Sequence, residues 1–339
     1  MERPAHLRLY SASMASNPSV SRRKILRKAS AVVGAGAVIS MADKGAARAQ
    51  SGSAGLASGG RGRFVYCLNT STIRGHKVPL VKEIELAAKA GYTAMEPWIG
   101  EMNDHIKAGG SAADLKKAFA DNGIAVVNAI GFAPWIVGDD DARKKGLDMM
   151  RRDMELVAQV GGTRIAAPPA GATELKNFDL NVAADRYRQI LEMGEKTGVM
   201  PMLEVWGFSK TLGTLAEAAY VAIATRHPGA TILADVYHLY KGGSGHDGLR
   251  LIDGAALPVM HMNDYPADPP RDKIKDEHRV FPCDGMAPID SVLKQLASTG
   301  AATALSLELF NKDYWKRDVA EVLKTGVEKM KAAVEKARV

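Results

Sequence analysis

From residue 63 to the C-terminus the chain alternates short apolar runs with amphipathic stretches, and no charged or proline-rich linker interrupts them. The apolar runs fall at 64–69, 93–96, 124–130, 164–168, 201–205, 231–235, 258–262 and 304–308. They lack the polar alternation of a half-solvated strand, so they read as strands of a parallel sheet buried on both faces. Helical periodicity occupies 79–90, 111–122, 141–160, 179–197, 211–225, 249–253 and 287–298, and a last helix covers 316–336. Eight strand–helix units predict one α/β domain over 63–339, a (β/α)8 TIM barrel. A doubly wound sheet would want a glycine-rich turn after its first strand, and Asn69-Thr70-Ser71-Thr72 is not one.

Four of these runs end on a residue that binds metals well: Glu204, Asp235, His261 and Glu308. An unpaired carboxylate at a buried strand end is expensive to desolvate, so the four need a shared partner. A divalent cation held by three carboxylates and one imidazole supplies it, at the strand ends where a barrel carries its active site. Moving a proton from the carbon beside a carbonyl needs a base and a positive charge to stabilise the enediolate. Glu204 and Glu308 are expected to form the acid/base pair; the alternatives are that they only ligate metal, or that the cluster is a metal-free hydrogen-bonded network.

Glu204, the D-x-x-H of residues 235–238, the H-x-N-D of 261–264 and the E-L-F of 308–310 appear in that order, each at a strand end. Together they resemble the xylose-isomerase-like barrel family, from about Phe64 to the C-terminus and most strongly over strands five to eight. The resemblance implies one Mn²⁺-like ion on Glu204, Asp235, His261 and Glu308, with Mg²⁺, Co²⁺ or Zn²⁺ as alternatives, and His238 facing a carbohydrate substrate. It implies a metal-dependent sugar isomerase or epimerase working through an enediolate. A lyase or dehydratase acting on a keto-sugar, 3-keto-glycoside or keto-inositol is the same-site alternative, and a non-catalytic sugar-binding barrel is the third.

Asp264 is expected to orient His261 through its free ring nitrogen. Arg279, in a loop similar to the family's R-x-x-P-G-D-G, is expected to bind a substrate hydroxyl or carboxylate, with Arg271 as its competitor. Cys283 stands where that loop has glycine, which calls its backbone conformation into question. Glu96 is placed to hydrogen-bond sugar hydroxyls, and Trp98 and Trp206 to stack on sugar C–H faces. Asn69 and His76 carry less weight. Trp135 and Trp315 are assigned to packing, and His105, His227, His246 and His278 to the surface. Ser209-Lys210-Thr211 stands where ketose 3-epimerases carry a further glutamate, which argues against that branch. Endonuclease IV would need more histidines at the ends of strands two and three than Glu96-Pro97-Trp98 and Asn128-Ala129-Ile130 provide.

Residues 1–49 stand apart from the domain. Ser21-Arg22-Arg23-Lys24-Ile25-Leu26 resembles a twin-arginine export motif, residues 29–42 are weakly apolar and too short to span a bilayer, and Ala47-Arg48-Ala49 fits a cleavage site. The expectation is a twin-arginine signal peptide at 1–49, with Met14 as an alternative start, then a flexible linker at 50–62 and passage through the twin-arginine machinery to the periplasm. The formal charge of +7 belongs to this leader, which holds Arg3, Arg8, Arg22, Arg23, Lys24, Arg27, Lys28, Lys44 and Arg48 against Glu2 and Asp43. The remainder is balanced, so neither nucleic acid nor stable membrane insertion is expected; homo-oligomerisation stays open. Cys67 and Cys283 are too few for a disulfide framework and are expected to be free thiols.

Overall fold

The computed structural model describes residues 64–300 and 303–339; the leader, its cleavage site and the linker lie outside them. Eight parallel strands are present: β1 (Val65–Asn69), β2 (Ala94–Glu96), β3 (Ala125–Val126), β4 (Arg164–Ala167), β5 (Met200–Glu204), β6 (Thr231–Asp235), β7 (Val259–Met262) and β8 (Ala304–Leu307). They are ordered β3-β2-β1-β8-β7-β6-β5-β4. Ala129 closes the ring, donating its N–H to Arg164 O at 3.1 Å and accepting from Ala166 N at 2.8 Å. The structure is thus the (β/α)8 barrel that the pattern predicts.

The helices are α1 (Leu80–Ala90), α2 (Ile99–Lys107), α3 (Ala112–Asp121), α4 (Asp140–Val160), α5 (Leu180–Thr197), α6 (Leu215–Ala224), α7 (Val236–Lys241), α8 (Ile289–Ser298) and α9 (Val319–Ala337). None of the described helices is long and apolar enough to cross a membrane. Three expectations need correction. The segment at 211–225 becomes helical only at Leu215, where Thr214 and Glu217 form a capping box. The segment at 249–253 is a 3₁₀ turn over Asp247–Leu251. The third strand shrinks to two residues, with Trp98 and Ile130 forming an isolated bridge beyond it. Helices α2 and α7 were not foreseen. The six residues of α7 are too few to show a period; it starts because Asp235 Oδ1 accepts the His238 N–H at 2.8 Å.

Successive strand residues alternate between the barrel interior and the helical layer, and this places the site. Cys67, Ala94, Met202, Leu233, Val259 and Ala304 pack together inside the barrel. Two positions further along the same strands stand Asn69, Glu96, Glu204, Asp235, His261 and Ser306. A polar layer therefore sits directly on an apolar one, at the C-terminal mouth. Register aligns its members: Asn69 lies beside Glu96, Asp235 beside His261, and His261 beside Ser306. The larger apolar core lies between the sheet and the helices.

One ionisable group in that outer core is unsupported. Glu83 of α1 is 2% exposed, and its Oε2 has no hydrogen-bond partner. Burial, reinforced by Glu101, pushes its carboxyl up to about 9. Between the unfolded value near ~4.3 and this native value, the native state binds more protons than the unfolded chain, so stability falls as pH rises. Glu83→Leu is expected to stabilise the fold by about 1–3 kcal/mol near neutral pH, the cost of a buried unmet group, with a gain that grows from pH 5 to pH 9. Urea denaturation at several pH values measures it; a pH-independent difference would show that Glu83 does not carry the proton.

Candidate metal and substrate site

Asp235 at the end of β6, His261 in β7 and Glu308 just beyond β8 each place a ligand atom within 4.8 Å of the other two, and all three are buried. Glu204, at the end of β5, lines the same cavity but stands outside this tight cluster. Its Oε2 is buried with no partner, and its carboxyl is pushed up to about 8 by burial, against the pull of His261 and with the repulsion of Glu308 and Asp235. Three of the four expected ligands are thus brought together, with the fourth beside them.

Two opposing demands set the charge state. Burial acts against ionised Asp235, yet Arg279, His238 and His261 hold it well below the usual carboxylate range. Burial likewise acts against a charged His261, but Glu308, Glu96 and Asp235 outweigh it and raise this imidazole well above its ordinary value. Arg279 is 1% exposed. Its Nη1 donates to Asp235 Oδ2 and to Glu308 Oε2, each at 2.8 Å, and its Nη2 pairs with Asp276 and lies 3.0 Å from His238 Nε2. A guanidinium so bound is committed to the carboxylates, although Arg279 also lines the cavity. The His238 imidazole is held neutral by burial and by Arg279, and its Nδ1 accepts from Gly207 N at 3.2 Å.

The donor set fits a divalent cation. His261 Nδ1 lies 3.1 Å from Glu308 Oε2 and 3.6 Å from Asp235 Oδ2, yet it makes no hydrogen bond of acceptable angle. A ring nitrogen in a buried anionic cluster and the Glu204 oxygen beside that cluster, both without partners, form an arrangement that a cation resolves.

The residue that orients His261 is Glu96, which corrects two expectations. Glu96 is fully buried and receives His261 Nε2 at 3.1 Å, Asn128 Nδ2 at 2.8 Å and the Ser306 hydroxyl. Its oxygens are spent on the protein and do not reach a sugar. Asp264 neither orients His261 nor faces a ligand: its two oxygens accept the backbone N–H groups of Tyr265, Cys283, Gly285 and Ala287 at 2.7–3.0 Å. That carboxylate shapes the loop carrying Arg279. Cys283 takes the left-handed φ of 70° there, so the loop keeps a glycine-like conformation without the glycine. At Gly285 a side chain would meet Tyr265 O at 2.3 Å and Asp264 Oδ1 at 2.4 Å.

Holding a metal ligand's far nitrogen fixes its tautomer, and losing such a partner lowers metal affinity about 10–100-fold. Glu96→Ala is expected to do this with all four ligands intact, read as a rise in metal Kd by competition with a chelator. An unchanged Kd would reduce Glu96 to packing.

The cavity over this cluster has a volume of ≈ 160 Å³ and is walled by Trp98, Phe132, Trp206, Phe208 and Phe310. The rings are contiguous: Trp98 lies 5.0 Å from Phe132 and 6.2 Å from Phe310, and Trp206 lies 6.0 Å from Phe132 and 5.3 Å from Phe208. Trp98 and Trp206 fall where the sequence placed them, while Trp135 is wholly buried and bonds Pro168 O. Arg271 is exposed and does not line this cavity. Asn69, given little weight, bonds both Glu308 Oε1 at 3.0 Å and Trp98 Nε1 at 2.9 Å. His76 bonds the backbone oxygens of Ile73 and Arg317 instead. His246 is buried against Tyr265 and bonded to Val236 O, which corrects its surface assignment. Cys67 is buried and Cys283 exposed, and both are unpaired.

Sequence reasoning missed Asn128, Asn263, Ser306, Asp276 and the three phenylalanines. Of these, Phe310, inside E-L-F, and Asn263, inside H-x-N-D, carried a signal; Asn263 Nδ2 donates to Asp235 Oδ2 at 3.0 Å. A larger open groove of ≈ 500 Å³ beside α6 is mostly apolar and holds no set of ligating side chains, so chemistry, not size, identifies the site.

Residues 84–333 match the xylose isomerase-like TIM barrel family. The chain is 27% identical over 277 residues to the inosose isomerase of Bacillus velezensis, covering 80% of this chain and 97% of that protein. It is 25% identical over 203 residues to the 3-dehydro-D-guloside 4-epimerase of Escherichia coli K12, covering 54% and 71%. The crystal structure of the IOLI protein, with a bound zinc atom, superposes with a TM-score of 0.74 at 22% identity over 81% of this chain and 99% of that one. A match spanning most of the barrel, on a sheet of the same architecture, makes the chain a member of the xylose isomerase-like TIM barrel family.

Proposed function

We propose that this protein is a divalent-metal-dependent sugar isomerase or epimerase that moves a proton beside the carbonyl of a keto-sugar. One observation carries the reading. Two buried glutamates, Glu204 from β5 and Glu308 after β8, flank Asp235 and His261 from the two strands between them, and both glutamates line one aromatic-walled cavity. Asp235, His261 and Glu308, with Glu204, would hold the ion, and their oxygen-rich set suits Mn²⁺, as it does Mg²⁺, Co²⁺ or Zn²⁺. A bound divalent ion supplies positive charge for negative charge developing on a substrate oxygen.

The protein's own groups do the rest. Trp98 and Trp206 line the cavity and would pack against the C–H side of a sugar ring. One glutamate takes the proton from the carbon beside the carbonyl, and its counterpart returns one. His238 lines the cavity with its Nδ1 accepting from Gly207 N–H and its Nε2 3.0 Å from Arg279 Nη2, so its ring would border the substrate. The Asp264-organised loop holds Arg279, which keeps Asp235 and Glu308 in place. The twin-arginine-like segment at 21–26 supports a periplasmic setting for this reaction.

The test is the fate of the carbon-bound proton in deuterated water. Mn²⁺-loaded protein incubated with a panel of keto-sugars and inosose is expected to give an isomer whose mass differs only by the label, carried beside the carbonyl. Loss of water or an alcohol would replace this reading with a lyase. Binding without exchange would replace it with a sugar-binding barrel.

A further inference from the structure

The helices around the barrel differ in what they turn to solvent. Helices α1, α4, α5 and α9 carry ion pairs about one turn apart, Lys82–Glu85, Arg151–Glu155, Arg188–Glu192 and Lys324–Glu328. Helix α6 has a single charged residue, Glu217, and that carboxylate is engaged by Thr214 in the helix cap. Its solvent side shows Ala216, Tyr220 and Ile223 instead, with Tyr220 47% and Ile223 77% exposed. A surface helix ordinarily turns charged or polar side chains to water, so this apolar face is unpartnered within the chain.

The patch continues onto the next element. Leu251, at the end of the 3₁₀ turn that precedes β7, is 74% exposed. Ile223 and Leu251 line one groove of ≈ 500 Å³, together with Ala230 and Ile232 at the start of β6. The groove therefore lies at the N-terminal end of the barrel, opposite the cavity that carries Asp235, His261 and Glu308. Large apolar side chains this exposed beside an apolar groove mark a surface that meets another protein.

We propose that this patch is the two-fold interface between two copies of this chain. A two-fold contact joins a surface to itself, so one patch must carry both halves of every complement. This one does, in shape and in charge. Ile223 and Leu251 supply apolar projections, and the groove they border supplies the recess for those of the other copy. Arg226, just after α6, and Asp253, just after the 3₁₀ turn, are exposed and line the groove from its two sides. Arg226 forms no ion pair with the described residues, whereas its neighbour His227 is taken up by Glu195. Asp253 accepts the Ala255 N–H and pairs with no cation of the described residues. A two-fold axis through the groove sets each Arg226 against Asp253 of the other copy. An unrelated protein would have to bring its own matching charges, while a second copy already has them.

Sedimentation equilibrium of the full chain over micromolar concentrations tests this. The wild type is expected to be a dimer. Ile223→Asp and Leu251→Asp, on different elements, are each expected to raise the dimer's Kd about 100-fold, because a two-fold contact buries each unpaired charge twice. Both positions are exposed within one chain, so each variant should still unfold cooperatively on heating. Arg226→Asp should weaken the dimer as well, and the left-handed φ of 53° at that position suits Asp. Adding Asp253→Arg to Arg226→Asp restores an opposite pair and should recover most of the lost affinity. A wild type that stays monomeric would overturn the proposal and leave the groove to a different protein or another segment of this chain. A dimer unaltered by Ile223→Asp and by Leu251→Asp would overturn it by placing the contact elsewhere. Failure of the double charge variant to recover would remove the pairing on which the choice of a second copy rests, and the proposal with it. None of these results bears on the proton-transfer reading, whose residues lie at the other end of the barrel.

Discussion

Asp235→Ala and His261→Ala are each expected to abolish stoichiometric metal binding. The purified wild type should carry about one divalent ion per chain, measured by elemental analysis, and each variant should lose affinity by more than the ~10–100-fold that follows loss of an outer partner. At 100 Kd of free metal the ion contributes about 2.7 kcal/mol to the native state, worth roughly 5–10 °C in Tm for a domain of this size. That increment should vanish in both variants. Melting temperature alone would mislead, because Asp235 also caps α7 and is paired with buried Arg279. Removing it leaves Arg279 with two of its three carboxylates and a helix end uncapped, which costs stability without any metal. Metal content is therefore the deciding measurement, and unchanged content in both variants would refute the assignment.

Glu204→Gln and Glu308→Gln are expected to lower proton exchange about 10²–10⁴-fold each, the range for losing a general acid or base. The two substitutions differ in cleanliness. Glu204 Oε2 has no partner, so an amide there meets no opposing donor. Glu308 accepts from Asn69 at one oxygen and Arg279 at the other, so an amide nitrogen must face one of these donors. A fall in exchange for Glu308→Gln therefore needs a parallel measurement of metal content, whereas one for Glu204→Gln reads more directly. Full activity in Glu204→Gln, with metal retained, would reduce Glu204 to a bystander and leave one base for the reaction.

The candidate ligands were visible from sequence because of what surrounds them. A carboxylate or imidazole closing an apolar run is a local anomaly, and four such anomalies at Glu204, Asp235, His261 and Glu308 point to one shared cause. The residues supporting them gave no such signal. Ser306 and Asn128 are small polar residues in strand-like runs, and neither has a sequence neighbour that hints at Glu96, which lies 210 and 32 positions away from them respectively. The same blindness moved Asp264 into the wrong role. Adjacent motif letters suggested a bond to His261, whereas successive strand residues point to opposite sides, and Asp264 turns to the backbone of its own loop.

By itself the sequence determined the barrel and singled out the residues of the candidate metal cluster, because hydrophobic periodicity and the desolvation of charge act over a few residues. Only the tertiary structure decided that Glu96 steadies His261, that Arg279 lies bound between Asp235 and Glu308, and that five aromatic rings from the segments after β2, β3, β5 and β8 line one cavity. Those contacts join residues far apart in the chain and depend on strand register and side-chain direction, and neither is fixed until the ring of strands has closed.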